Sequence, residues 1–267
     1  MKPIPFCDLH RANSAIRSDI DRAIAACLDR SSFLRGPETA AFEEEWAAFC
    51  GQSHAVCCNS GTDALTLAAT ALDLKSAVIP ANTLPLTGIG LHLGGAQVRV
   101  AEIDRNGWMT EQGPEAIPVL LFGRLPDAQS DHALLYDAAH AHGWTPPPGA
   151  VAAWSFYPTK TLGALGDAGA VTTNDAALAA AMRDLCGRDD LLHHRRQITS
   201  RIDEIQAAVL RVKLRHLKTW LAERNAIGVH YERRLGGLGV TLQGPSLHHL
   251  YVIRISDRDG LARHQLY

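Results

Sequence analysis

The sequence predicts an α/β protein built on a seven-stranded, mostly parallel sheet held between helices, and three observations carry that reading. Seven short apolar runs have the length and composition of buried strands: His54–Cys58, Ala77–Pro80, Gln97–Ile103, Ile117–Phe122, His132–Tyr136, Val151–Phe156 and Ala170–Thr173. Helical stretches separate several of them, and that alternation favours parallel pairing. Finally, Ser60-Gly61-Thr62, Asp137 and Lys160 each follow directly after a predicted strand. Ligands of such sheets collect at the carboxyl ends of the strands.

In chain order, an extended arm leads to a helix over about Ser14–Asp29, with Ile16, Ile20, Ala23, Ile24 and Cys27 along one face. Gly36-Pro37 breaks the chain, and Glu38–Phe49 reads as a second amphipathic helix. After the first strand, the small-residue turn Asn59–Thr62 opens an alanine- and leucine-rich helix, Asp63–Leu72. Strand, small turn and helix together aim backbone N–H groups at an anion. Asp63 suits such an anion only if its side chain points away. Thr83–Leu93 is the helix between two later strands, whereas the connections 105–116 and 124–131 are short. From Ile202 to about Leu235 one long helix is predicted, with Gly228 as a place for a bend, and His249–Ile255 reads as a strand. These features divide the chain into a large α/β domain, residues 1–200, and an incomplete small C-terminal domain, residues 201–267.

Composition narrows the function classes. Apolar residues make up 46% of the chain and charged residues 20%, ordinary for a globular protein of 267 residues. A formal net charge of −2 gives no electrostatic case for nucleic acid or an anionic membrane surface. No apolar run approaches a membrane span and the N-terminus lacks a signal-peptide core, so a cytoplasmic protein is expected. The six cysteines show no CxxC spacing, and Cys57 and Cys58 sit in a strand-like run that favours burial. The thirteen histidines show no metal-ligand pairing, so no metal is expected. His193–Arg196 reads as a solvated loop, and Trp144–Pro148 as a rigid turn.

The chemistry is organised around Ser155–Asp175, SFYPTKTLGALGDAGAVTTND. Lys160 lies just past a buried strand, and Gly163, Gly166 and Gly169 follow it. A lone lysine at a strand end is ordinarily a surface residue; its companions set this one apart. Lys160 supplies an amine for a Schiff base, Asp137 an anion for a pyridinium nitrogen, and the Ser60–Thr62 turn a phosphate cradle. Those are the requirements of pyridoxal phosphate.

The same residues carry a family likeness. FEEEWAAFCG (42–51), SGTDAL (60–65), PANT (80–83), YDAAHAHG (136–143), SFYPTKTLGALGDAGAV (155–171), SRIDEIQAAVL (200–210) and HLYVIR (249–254) resemble, in order, the DegT/DnrJ/EryC1/StrS sugar aminotransferases of fold type I. The resemblance implies that Lys160 forms the Schiff base and shuttles the proton, and that Asp137 pairs with the pyridinium nitrogen. It implies that His140 contacts the ring, and that Gly61, Thr62 and Ser155 hold the phosphate. It further implies transfer of an amino group from an amino acid, glutamate first, to a keto group of a nucleotide-linked sugar, in a homodimer.

Departures from the family pattern matter equally. Leu84 stands where an aromatic residue often stacks on the cofactor, and Thr199 where an Asn reaches the neighbouring subunit's phosphate. The family also continues beyond the point where this chain ends. A truncated or degenerate member that keeps the fold without turnover is therefore one alternative. A sugar dehydratase on the same scaffold is another, although Lys160 speaks against it.

Overall fold

Local hydrogen bonding decides where the first helices stop in the computed structural model, which describes residues 5, 7–126, 133–187, 197–238, 241–242, 245–257 and 259–260. The helix expected over Ser14–Asp29 is α2 (Arg17–Arg30), and the arm before it, expected to be extended, carries a short helix, α1 (Leu9–Ser14). The Ser14 hydroxyl donates back to the His10 carbonyl at 2.7 Å, a side-chain bond of the kind that competes with helix continuation. α3 (Pro37–Cys50) begins with proline at its first position and ends at Gly51, whose φ of 70° is the left-handed conformation that glycine adopts readily.

The strand–turn–helix unit follows as β1 (His54–Cys58) and α4 (Gly61–Ala71), then β2 (Ser76–Pro80), α5 (Pro85–Leu93) and β3 (Gln97–Ala101). α5 starts two residues later than expected because Pro85 holds the residue before it, Leu84, in extended backbone. β4 (Leu135–Asp137), β5 (Val151–Ser155) and β6 (Gly169–Thr173) complete the central strands. α6 (Ala176–Leu185) was not expected. Its signal was the Asp175 cap, whose carboxylate accepts from the N–H groups of Ala177 and Leu178, ahead of an alanine-rich run. α7 (Glu204–Leu235) is one continuous helix of 32 residues, and β7 (Thr241–Leu242) pairs with β8 (Ile253–Arg254). Only those two residues of the strand expected over His249–Ile255 are extended and paired. His193–Arg196 lies outside the described residues.

The central sheet has the order β1-β6-β5-β4. β4 and β5 are parallel, as are β2 and β3, whereas β6 runs antiparallel to both of its neighbours. The run expected as a strand over Ile117–Phe122 joins the two parallel pairs through isolated parallel bridges at Ala116–Val78 and Val119–Asp137. Pro118 has no N–H for a ladder, and the chain turns into a short 3-10 helix at Leu121–Gly123.

Both faces of the sheet are buried, each under helices. Ala152 and Trp154 of β5 face the cluster of Phe42, Trp46, Tyr136 and Phe156 under α3 and α7. Val151 and Ala153 face the other way, toward α4 and α6. Trp154 and Phe156 are fully buried, and the Trp154 indole N–H donates to the Thr172 hydroxyl at 2.8 Å. The first half of α7 belongs to this core through Ala207, Leu210 and Leu217, and packs on α2 through Val209 and Val212.

One long-range bond set locks α7 to α3. The fully buried Glu204 carboxylate accepts from the N–H groups of Gly36, Glu38 and Thr39 and from the Thr39 hydroxyl. It thereby caps α3 from a distant part of the sequence, where Gly36 offers no side chain. Gly228, expected as a bend, sits inside the unbroken α7. A Cβ there would come within 2.4 Å of the His248 ring, so the glycine makes room for close packing.

Candidate active site

A cavity of about 630 Å³ opens along the edge formed by the carboxyl ends of β1, β4 and β5. Because β6 is antiparallel, the residues leading into it, Asp167 and Ala168, line the same edge. Gly61, Thr62, Leu84, Asp137, His140, Ser155 and Lys160 all line this one cavity. Thr199 does not: it is exposed and outside the cavity, whereas its neighbour Ser200 is buried.

The turn after β1 is built for close approach. The Ser60 hydroxyl accepts from the Asp63 N–H at 3.0 Å, the ordinary N-cap of α4. This leaves the N–H groups of Gly61 and Thr62 ahead of the first intrahelical bonds. A Cβ on Gly61 would lie 2.7 Å from that of Ser155, so only glycine lets the two strand ends meet. Asp63 turns away from the cavity: its carboxylate accepts from the Ser200 hydroxyl at 2.6 Å, and that oxygen accepts from the Asn59 N–H at 3.0 Å. The negative charge that would oppose an anion is thus engaged elsewhere.

Asp137 ends β4, buried, and accepts from the Thr87 hydroxyl at 2.8 Å and the Ala139 N–H at 3.1 Å. Burial pushes its carboxyl above the ordinary range, against those two donors and the charge of Lys160. Lys160 follows β5 in a tight turn in which its N–H donates to the Tyr157 carbonyl at 2.8 Å. Burial lowers its ammonium from 10.5 to about 8, and Asp137 opposes the shift. A lysine so placed carries a usable fraction of neutral amine near neutral pH.

His140 is held by a contact that the sequence did not announce. Its Nδ1 accepts from the Phe122 N–H at 3.1 Å. Burial, and then the charge of Lys160, depress its pKa to about 3, so the ring is neutral and its proton sits on Nε2. The His249 ring lies 4.4 Å from it, centroid to centroid, and the His249 Nδ1 is 3.3 Å from the Thr161 hydroxyl. Thr87 and His249 are the supports that sequence reasoning missed. Thr87 lies one turn from Leu84 on α5, a position that only tertiary packing brings to Asp137.

A buried amine, a buried carboxylate and a neutral imidazole around a helix N-terminus can carry imine chemistry and proton transfer on an anion-anchored group. The family model described as the DegT/DnrJ/EryC1/StrS aminotransferase family matches residues 14–117 and 127–267. The chain belongs to this family. It is an aminotransferase of fold type I. Over 98% of its length it is 38% identical to the erythromycin biosynthesis sensory transduction protein EryC1 of Saccharopolyspora erythraea, covering 81% of that protein. Over the same share it is 35% identical to dTDP-3-amino-3,4,6-trideoxy-alpha-D-glucose transaminase of Streptomyces venezuelae, covering 78% of it. The crystal structure of S. venezuelae DesV in complex with a ketimine intermediate superposes with a TM-score of 0.92 at 35% identity, over 99% of this chain and 81% of that one. Among the described residues no group of three or more metal-ligating side chains occurs, and no helix is long and apolar enough to cross a membrane.

Proposed function

We propose that this protein uses pyridoxal 5′-phosphate to move an amino group from an amino acid, glutamate first, to a keto group of a nucleotide-linked sugar. One observation carries the reading: Lys160, Asp137, His140 and the N-terminus of α4 converge on one cavity. The dTDP-sugar transaminase named among the relatives supports a sugar nucleotide as acceptor.

The residues fit the cofactor. The free N–H groups of Gly61 and Thr62 and the hydroxyl of Ser155 would take the phosphate, in a turn where a Cβ at Gly61 would close the gap. Asp137, a buried carboxylate whose own pKa is raised by that burial, would accept the ring N–H. His140 would offer its Nε2 proton to the ring oxygen, and Leu84 would supply apolar contact at the mouth. When bound, pyridoxal phosphate supplies the electron sink that no amino-acid side chain provides. Lys160 would hold the aldehyde carbon and, once displaced by the donor amine, move a proton between the two carbons that flank the transferred nitrogen.

Residues 1–200 then serve as the cofactor domain with its N-terminal arm, and 201–267 as the long helix and part of the small domain. Thr199, exposed outside its own cavity, would reach the phosphate of a second copy in a homodimer. The exposed Leu84, Leu86, Ile89 and Leu93 along α5 support such a contact.

The test is a visible spectrum of the protein with pyridoxal phosphate, before and after glutamate, beside Lys160→Ala. The expected result is a cofactor band that requires Lys160 and converts on adding glutamate, after which dTDP- and UDP-linked keto sugars are offered as acceptors. A folded wild-type protein that gives no such band would sink the reading.

A further inference from the structure

The loop that carries Lys160 is gripped by a helix nearly fifty residues downstream. Lys213 of α7 is 6% exposed, and its ammonium donates to the Gly163 carbonyl at 2.7 Å. Two turns earlier on the same face of α7, the Gln206 carboxamide oxygen accepts from the Leu165 N–H at 2.7 Å. The loop between these points has no slack: a Cβ on Gly163 would lie 2.4 Å from the Pro158 carbonyl oxygen. It is also tied at its base, where the Ala164 N–H donates to the Phe156 carbonyl at 2.8 Å. Lys213 pairs with no carboxylate among the described residues. A buried ammonium with no counter-ion is an expensive way to hold a carbonyl, and packing alone would be served better by a methionine of the same length.

We propose that Lys213, assisted by Gln206, is a positioning residue that fixes the 161–165 backbone and so sets the Lys160 amine in the cavity. The inference rests on the reading of Lys160 as the imine-forming lysine. It assigns Lys213 no contact with cofactor or substrate. Its charge matters because an ionised donor holds the loop more tightly than a neutral one in the same place. The loop and α7 then move as one body, and the amine keeps its place while the cofactor's other end is held by α4.

The experiment compares wild type, Lys213→Met, Gln206→Leu and Lys160→Ala. Each is mixed with pyridoxal phosphate, and the growth of the visible band is followed by stopped flow. Borohydride reduction and peptide mass then report the extent of covalent capture at Lys160, and circular dichroism melting reports folding. Lys213→Met should melt within a few degrees of wild type yet capture the cofactor at least tenfold more slowly, with a smaller shift in the same direction for Gln206→Leu. Folded variants that capture at the wild-type rate and to the wild-type extent would overturn the proposal. If Lys213→Met does not fold, Gln206→Leu decides: unchanged capture overturns it, slowed capture sustains it. No capture by wild type, as by Lys160→Ala, would strike down the underlying reading and this inference with it. Slow capture confined to the variants tests the positioning role alone.

Discussion

The two ends of the cavity are built by opposite strategies. At the α4 end, Ser60, Gly61 and Thr62 form a cradle from adjacent residues and backbone N–H groups, with one cap bond closing it. At the Lys160 end, a single side chain is placed by groups far apart in sequence: Gln206 and Lys213 from α7, and His249 beside Thr161. Backbone geometry suffices where the ligand is a diffuse anion. Where one nitrogen must meet one carbon, small errors in position are costly, and distant packing supplies the constraint.

That contrast can be broken or sharpened by experiment. The largest effect is expected at Asp137, which belongs to neither end. Asp137→Asn keeps the Thr87 contact but removes the charge, and amine transfer should fall by about 10²–10³-fold while the visible band still forms. A variant that transfers at the wild-type rate would remove the carboxylate from the mechanism.

Glu204→Gln probes long-range support without touching the cavity. Burial raises the Glu204 pKa, but the Thr39 hydroxyl and the N–H groups of Thr39, Glu38 and Gly36 outweigh it and hold the carboxyl below 4.5. A depressed carboxyl contributes stability that is present above its unfolded value and lost as pH falls through the folded one. Denaturant unfolding at pH 7 should show a loss of about 1–3 kcal/mol for Glu204→Gln. The gap between variant and wild type should shrink below about pH 4.

Gly61→Ala tests the local strategy, because the new methyl meets Ser155 at 2.7 Å. Overpacking of about 1–3 kcal/mol should appear as weaker cofactor binding by roughly tenfold or more, read by equilibrium dialysis, with Lys160 still able to capture what binds. The smallest effect needs no mutation. With the Lys160 ammonium lowered to about 8, the neutral fraction of its amine rises as pH rises and saturates above that value. Cofactor capture should gain about tenfold between pH 7 and 9 and then level. Continued rise toward pH 10.5 would show an unperturbed lysine.

What was legible in the sequence follows the same division. Strand runs bounded by turn residues were read nearly to their ends in β1, β5 and β6, since nearly every residue of each is buried on one face or the other. Ser60–Thr62, Asp137 and Lys160 were legible because each lies at or just beyond the end of a strand run, where chain order alone brings it to one edge, whereas Leu84, His140 and Ser155 were read from the family likeness. The direction of β6 was not legible, because pairing direction lies in the connections and not in the strand. Ile117–Phe122 misled because its apolar composition hides the missing N–H of Pro118. Asp63 and Glu204 look alike in sequence, acidic residues in the first turn of a helix; only their distant partners make one a turned-away charge and the other a cap.

α7 has a mechanical consequence of its own. Its first half is cemented into the core, and its last eighteen residues, beyond Leu217, form an arm roughly 27 Å long at 1.5 Å per residue. A tilt of about 4° at the root displaces the tip by about 2 Å, so the arm amplifies any slack at its base. Arg224 on that arm donates to the carbonyls of His248 and His249, and the His249 ring abuts His140. The helix is therefore a beam fixed at one end and loaded along its span, and both the fixed end and the load point bear on the same cavity.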